Sequence, residues 1–145
     1  VLDHELMVRW AQIACLMPVM QFSVAPWRIL SAQDYAKVKQ AVALRSRCMP
    51  LLRQALALCR NTGEPVLRPM AYNFTESACA RVTDQFMVGD KLLVAPILEK
   101  GATRRTVYFP KGSWCSECGE RYDSTGEVYE IEVGDRIGIF EKESG

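Results

Sequence analysis

Residues Asp84 to Pro96 read DQFMVGDKLLVAP. Two short apolar runs, FMV and LLVA, stand on either side of Gly89-Asp90, a dipeptide that favours tight turns. The stretch admits two readings. Asp84 and Asp90 are either paired carboxylates doing acid–base chemistry, or the punctuation of a β-hairpin. Working carboxylate pairs sit on facing elements, roughly 5 to 9.5 Å apart, with one pKa raised. These two flank one short strand instead. Asp90 falls in the turn, and Asp84 precedes the strand, where a side-chain oxygen can accept backbone N–H bonds. The hairpin reading follows.

The same grammar continues outward on both sides. Strands are predicted at 66–74, 85–88, 91–98, 106–110, 114–115, 128–133 and 137–140, divided by turns such as Lys100-Gly101, Lys111-Gly112 and Ser124-Thr125-Gly126. Short strands at this spacing predict an antiparallel sandwich. Before Gly63 the pattern is helical. Leu6, Trp10, Ile13 and Met17 recur at i, i+4, i+7 and i+11, the mark of one face of a helix over 5–17 that Pro18 stops. PVMQFSV (Pro18–Val24) reads as a strand. Ser31 and Asp34 form a capping pair for a second helix over 33–60, which Pro50 should kink or break and Asn61-Thr62-Gly63 should close. The fold class is therefore α/β plus all-β: helix–strand–helix over 1–63, then a sandwich over 64–145. A lone βα unit cannot bury both faces of its strand, so the first region predicts further barrel-like elements before Val1.

Of the 145 residues, 49% are hydrophobic and 24% charged, a globular composition large enough for a core. A net charge of +1 gives no reason to expect a nucleic acid or an anionic membrane as partner. No apolar run is long enough to span a bilayer. The opening VLDHELMVRW has no leader pattern and starts directly on a helix, as if cut from a longer chain. Six cysteines, three of them within apolar helical patterns, suit reduced thiols, and the expectation is a cytoplasmic protein.

Other candidates for chemistry are weaker. Cys115-x-x-Cys118 is half a zinc site without its second half, so two thiols on a strand or hairpin is the preferred reading, with no metal or cofactor expected. His4 has no nucleophile in a recognisable elbow. Asn73-Phe74-Thr75 is a glycosylation sequon that matters only in a secreted chain. Arg104-Arg105 reads as a solvated loop. Gln21-Phe22-Ser23 and Trp27 are different. At the mouth of a barrel an amide, a hydroxyl and two aromatics suit a sugar, bonding its hydroxyls and covering a ring face. The alternative for Phe22 and Trp27 is plain packing, and both readings stay open.

Four stretches carry a family resemblance. Glu5-Leu6-x-x-Arg9-Trp10-x-Gln12 with Pro18-Val19-Met20 resembles glycoside hydrolase family 31, and so does Leu44-Arg45-x-Arg47-x-x-Pro50-x-Leu52. Arg68-Pro69 and the stretch from Asp84 to Trp114 follow in matching order and spacing. The resemblance implies the last helix–strand–helix of a (β/α)8 TIM barrel followed by a proximal β-sandwich. It also implies a parent enzyme that hydrolyses α-glycosides with retention, using two aspartates on earlier barrel strands that nothing in this chain matches. Many α-glucosidases of the family read P-x-M-R-N-H at the end of the eighth strand. Here Gln21, Phe22 and Ser23 replace Arg, Asn and His, which argues against simple α-glucosidase specificity. PVMQFSVAPW more closely resembles the branch of the myogenesis-regulating glycosidase, associated with α-galactoside cleavage.

The barrel placement that the resemblance implies makes Gln21, Phe22, Ser23 and Trp27 the expected substrate contacts, with no catalytic residue expected in the chain. It predicts that the chain alone is inactive and associates with the missing barrel portion or with itself. A rival reading is a non-catalytic carbohydrate-binding sandwich whose platform is Tyr108, Phe109, Trp114, Tyr122 and Tyr129. A zinc- or redox-dependent regulator using Cys115 and Cys118 ranks below both.

Overall fold

In a computed structural model, which describes residues 2–144, the chain forms two long helices and eight antiparallel strands. Helix α1 spans His4–Ala14 and α2 spans Ala32–Thr62, with a 3₁₀ turn at Pro26–Arg28 between them. Then come β1 (Leu67–Pro69), α3 (Met70–Asn73), a 3₁₀ turn (Ser77–Arg81), β2 (Phe86–Val88) and β3 (Leu92–Ala95). The remaining strands are β4 (Arg104–Phe109), β5 (Gly112–Ser116), β6 (Arg121–Ser124), β7 (Glu127–Glu132) and β8 (Gly138–Lys142). Six strands form one sheet in the order β1-β2-β3-β8-β5-β6, and β4 pairs with β7 in a separate ribbon. Among the described residues, no helix is long and apolar enough to cross a membrane.

The hairpin expected at 84–96 is present. Phe86 faces Val94, Met87 faces Leu93 and Val88 faces Leu92 across it. Gly89 takes a φ of 61° in the turn and donates its N–H to the Val66 carbonyl at 2.7 Å. A Cβ added there would meet the Ala55 Cβ at 3.4 Å, so conformation and space both favour glycine. Strand β3 is buried at all four positions. Leu92 and Val94 pack with Leu44, Cys48 and Leu52 of α2, whereas Leu93 and Ala95 pack with Val107, Phe109 and Ile131 of the ribbon. A strand covered on both faces reads as an unbroken apolar run rather than an alternating one, and LLVA is such a run. The chain is thus three layers deep: helices, six-stranded sheet, ribbon.

Several expectations need correction. Residues 18–24 do not pair as a strand, because no described strand runs beside them to share backbone hydrogen bonds. The strand expected over 66–74 ends at Pro69, which carries no N–H for the ladder and sits at the N-cap of α3. Helix α2 runs through Pro50 without a break. Proline deprives the Ser46 carbonyl of its usual donor, but Ser46 and Pro50 are both exposed and water can serve it. Strand β6 was not anticipated. On α1 the inward face is Val8, Ala11, Gln12 and Cys15, whereas Leu6 and Trp10 are 58% and 68% exposed. With Ile13, Met17, Ile97 and Leu98 they line an open apolar groove of about 500 Å³.

Helix termini follow sequence rules closely. The Asp34 N–H donates to Ser31 Oγ at 3.1 Å at the start of α2, and Gly63 closes that helix at φ 81°. At the start of α1, Asp3 Oδ1 accepts from the Leu6 N–H at 3.1 Å while Lys100 Nζ reaches Asp3 Oδ2 at 2.6 Å. His4 Nδ1 lies 3.3 Å from Asp34 Oδ2 and ties the two helix starts together.

The Arg9 guanidinium ties helix α1 to the β region at three carbonyls. Arg9 donates to the carbonyls of Ala102, Gly134 and Arg136 at 3.0 Å each and to Gln12 Oε1 at 3.1 Å. Gln12, only 4% exposed, passes its own amide N–H to the Asp135 carbonyl. Truncating Arg9 to alanine strips three main-chain acceptors of a charged donor. Arg9→Ala should lower unfolding free energy by about 2 kcal/mol, the scale of hydrogen bonds to charged groups. Arg9→Lys should recover little of it, since an ammonium cannot reproduce the planar fork. Urea unfolding of the three proteins checks both, and an Arg9→Ala midpoint equal to the parent's would dismiss the clamp.

Candidate functional site

The segment carrying the proposed sugar contacts is suspended between two anchors. At its start α1 ends at Ala14, and the Leu16 and Met17 N–H groups turn back onto the Ile13 and Ala14 carbonyls at 3.1 Å. Arg45 of α2 then donates to the carbonyls of Cys15 at 3.0 Å, Met17 at 2.6 Å and Pro18 at 3.1 Å. At the far end Pro26 is buried and its carbonyl accepts from the Leu30 N–H at 2.9 Å, which shapes the 3₁₀ turn bearing Trp27. Between the anchors only Met20 points inward, touching the clusters around Leu44 and Val38.

Gln21, Phe22 and Ser23 are all exposed, and Trp27 is 65% exposed. They lie on one short run of chain, two polar groups flanking an aromatic, with Val19 and Val24 exposed beside them. The arrangement can present an amide, a hydroxyl and aromatic surface to a ligand, and includes no carboxylate. Two residues not anticipated belong to its support. Trp27 meets the Tyr35 ring edge-on, with centroids 6.2 Å apart at 63°, and Lys39 Nζ lies 5.0 Å from the Tyr35 centroid. The i, i+4 spacing of Tyr35 and Lys39 on one helix is the signal that finds them.

The other candidates take structural positions. Asp90 is in the turn, as expected. Asp84 differs from expectation, pairing with the Arg105 guanidinium at 2.8 Å rather than with backbone N–H groups. Arg105 is correspondingly no solvated residue. Its side chain is 10% exposed and donates to the carbonyls of Asp84, Pro96 and Thr106 at 2.8, 2.6 and 3.0 Å. Its Nη2 faces the Asp84 carboxylate as an ion pair, without the alignment of a hydrogen bond. Arg104 does face water and pairs across the ribbon with Glu130 and Glu132. Asn73 of the sequon is occupied: Nδ2 donates to the Gly89 carbonyl at 2.8 Å and Oδ1 accepts from Arg68 at 3.0 Å.

The aromatic platform of the rival reading lies inside. Phe109 and Trp114 are fully buried and Tyr108 nearly so. Half-buried Tyr122 stacks on Phe109 at 5.0 Å, and half-buried Tyr129 meets it edge-on at 5.5 Å. These rings fill the space between sheet and ribbon.

Cys115 sits on β5 and Cys118 in the turn before β6, so the pair does lie on a hairpin. All six cysteines are unpaired. Burial pushes the Cys15 thiol up to about 12 and raises those of Cys48 and Cys79. Exposed Cys118 should therefore consume a thiol reagent first, and Cys15, Cys48 and Cys79 only after unfolding. Timed labelling with Ellman's reagent, with peptide mapping, checks the order, and early loss of Cys15 would contradict the packing of α1 on α2.

With this geometry in place, comparison with known proteins defines the class. The glycosyl hydrolase family 31 C-terminal domain matches residues 63–144, and the chain belongs to that family. The myogenesis-regulating glycosidase of Mus musculus is 42% identical over 125 residues, which cover 85% of this chain and 17% of that protein. Alpha-glucosidase 2 of Bacillus thermoamyloliquefaciens is 33% identical over 137 residues, 88% of this chain and 16% of that one. The cycloalternan-degrading enzyme from Trueperella pyogenes, solved in complex with a covalent intermediate, superposes with a TM-score of 0.90 at 26% identity. That match covers 100% of this chain and 22% of the solved one. The chain thus spans less than a fifth of the length of these two sequence relatives.

Proposed function

We propose that this chain is the C-terminal part of a retaining α-glycosidase. Residues 1–63 supply the last helix–strand–helix of a (β/α)8 barrel and residues 64–145 the proximal sandwich. The nucleophile and acid/base aspartates belong to barrel strands outside these residues. Gln21, Phe22, Ser23 and Trp27 form one wall of the sugar pocket. The observation that carries this reading is the segment 18–24. It lies between two packed helices, turns Met20 inward while Val19, Phe22 and Val24 stay exposed, and has no described strand beside it, as a barrel strand without its neighbours would.

Retention is supported by the covalent intermediate held by the solved relative, since a glycosyl-enzyme forms only on the two-step route. The domain division is supported by the family match starting at residue 63, where Gly63 closes α2. An α-galactoside is favoured over an α-glucoside because Gln21, Phe22 and Ser23 stand where many α-glucosidases of the family carry Arg, Asn and His.

The full-length parent should hydrolyse p-nitrophenyl α-galactoside faster than the α-glucoside, and NMR should show the α-anomer of the sugar released first. Gln21→Ala should lower kcat/KM by about tenfold, the value of one hydrogen bond to substrate. The 145-residue chain alone should show no turnover, lacking both the nucleophile and the proton donor. Release of the β-anomer would overturn retention, and turnover by the isolated chain would overturn the placement of the catalytic aspartates.

A further inference from the structure

An indole left 65% exposed would ordinarily sample several rotamers, yet Trp27 is braced on two sides. Its backbone lies in the Pro26–Arg28 turn, closed by hydrogen bonds from the Arg28 N–H to the Ala25 carbonyl and from the Leu30 N–H to the Pro26 carbonyl. Its ring abuts the half-buried Tyr35 ring edge-to-face, a geometry that aromatic quadrupoles favour. Tyr35 in turn has little freedom. It follows the Ser31–Asp34 cap of α2, its own N–H donates to the Ser31 carbonyl at 2.8 Å, and the Lys39 ammonium sits over its ring.

A chain of three side chains, Lys39, Tyr35 and Trp27, therefore runs outward from the first turns of α2 and ends in an open aromatic surface. Tyr35 and Lys39 are unexplained by the helix–sheet core, because neither belongs to the apolar clusters that join α2 to the sheet or to α1. Pyranoses present a face of C–H bonds that packs on an indole, and a ring held in place before the ligand arrives loses less entropy on binding.

We propose that Tyr35 is a positioning residue: it holds the Trp27 indole, from the side away from the ligand, as a preset platform for the C–H face of a pyranose ring, with Lys39 fixing Tyr35. The proposal rests on the reading of residues 21–27 as part of a sugar pocket and adds to it the residue that makes Trp27 competent.

The test uses the full-length parent with methyl α-galactopyranoside and methyl α-glucopyranoside as probes, their affinities measured by calorimetry. Trp27→Ala should weaken the preferred probe about tenfold, and Tyr35→Ala by about threefold to tenfold, the reach of one aromatic contact. Tyr35→Phe keeps the ring and should bind as the parent does. The double variant Trp27→Ala/Tyr35→Ala should bind no more weakly than Trp27→Ala alone, because Tyr35 acts only through the indole. With p-nitrophenyl α-galactoside the Tyr35→Ala loss should fall on KM and leave kcat within about twofold. If Tyr35→Ala does not fold, Tyr35→Leu, which keeps bulk on the helix without the ring, carries the same test.

Parent-like affinity in Tyr35→Ala or Tyr35→Leu, with Trp27→Ala weakened, would end the positioning role and leave the pocket reading intact. Additive losses in the double variant would also end it, since Tyr35 would then act independently of Trp27. Parent-like affinity in Trp27→Ala, or no binding of either probe by the parent, would remove the pocket reading and the proposal together.

Discussion

Strand β3 has water on neither face, and most of the architecture follows from that. Leu92 and Val94 need an apolar layer on one side, Leu93 and Ala95 on the other, and each large side chain buried this way contributes about 1.5 to 3 kcal/mol. Helix α2 supplies the first layer through Ala41, Leu44, Cys48, Leu52 and Ala55, spaced three and four apart on one stripe. The β4–β7 ribbon supplies the second through Val107, Phe109 and Ile131. Removing either layer would expose a row of aliphatic side chains at the centre of the sheet. The helices are therefore joined to the six-stranded sheet by a common core.

Packing three layers leaves carbonyl groups at the layer edges without partners, and arginine solves this repeatedly. Arg9 collects carbonyls from the 102 and 134–136 turns, Arg45 from the end of α1, and Arg105 from the ends of the β2–β3 hairpin. A guanidinium offers five N–H groups in a rigid plane, so one side chain serves two or three acceptors that an ammonium would serve poorly. This gives the motif residues physical meaning. The Arg9 and Gln12 of E-L-x-x-R-W-x-Q fasten a helix to a sheet, and the Arg45 of L-R-x-R holds the entry to the candidate site. Their chemistry is the satisfaction of main-chain carbonyls that are mostly half-buried.

Elements governed by local rules were legible in the sequence, and those governed by neighbours were not. The hairpin at 84–96, the Ser31–Asp34 cap and the Gly63 terminus each follow from one or two residues with strong backbone preferences. Strand β6, RYDS, carries a single apolar side chain and is a strand because β5 pairs with it from Gly112 to Cys115. Arg105 looked like a loop residue because charge alone says nothing of carbonyls arriving from Asp84 and Pro96. Periodicity correctly made α1 a helix, but its widest apolar side chains, Leu6 and Trp10, are exposed while smaller Val8 and Ala11 pack inward. A hydrophobic stripe identifies a face that is apolar without saying which neighbour covers it. At the candidate site Gln21, Phe22, Ser23 and Trp27 were legible by chemical type, whereas the brace from Tyr35 appears only once the turn and the helix are folded together.

The segment from Val19 to Ala25 takes both of its anchors from α2. Its entry is pinned where Arg45 holds the Cys15, Met17 and Pro18 carbonyls, and its exit where Trp27 rests on Tyr35. Both anchors are on the same helix, ten residues and so nearly three turns apart, and between them only Met20 reaches the interior. Val19 and the side chains of 21–24 are left exposed. Helix α2 is itself set by the sheet through Leu44, Cys48 and Leu52. The core beneath α2 is thus linked to both ends of the segment through one continuous helix. In this way the sheet, acting through α2, sets the course of the segment that carries Gln21 and leads to Trp27.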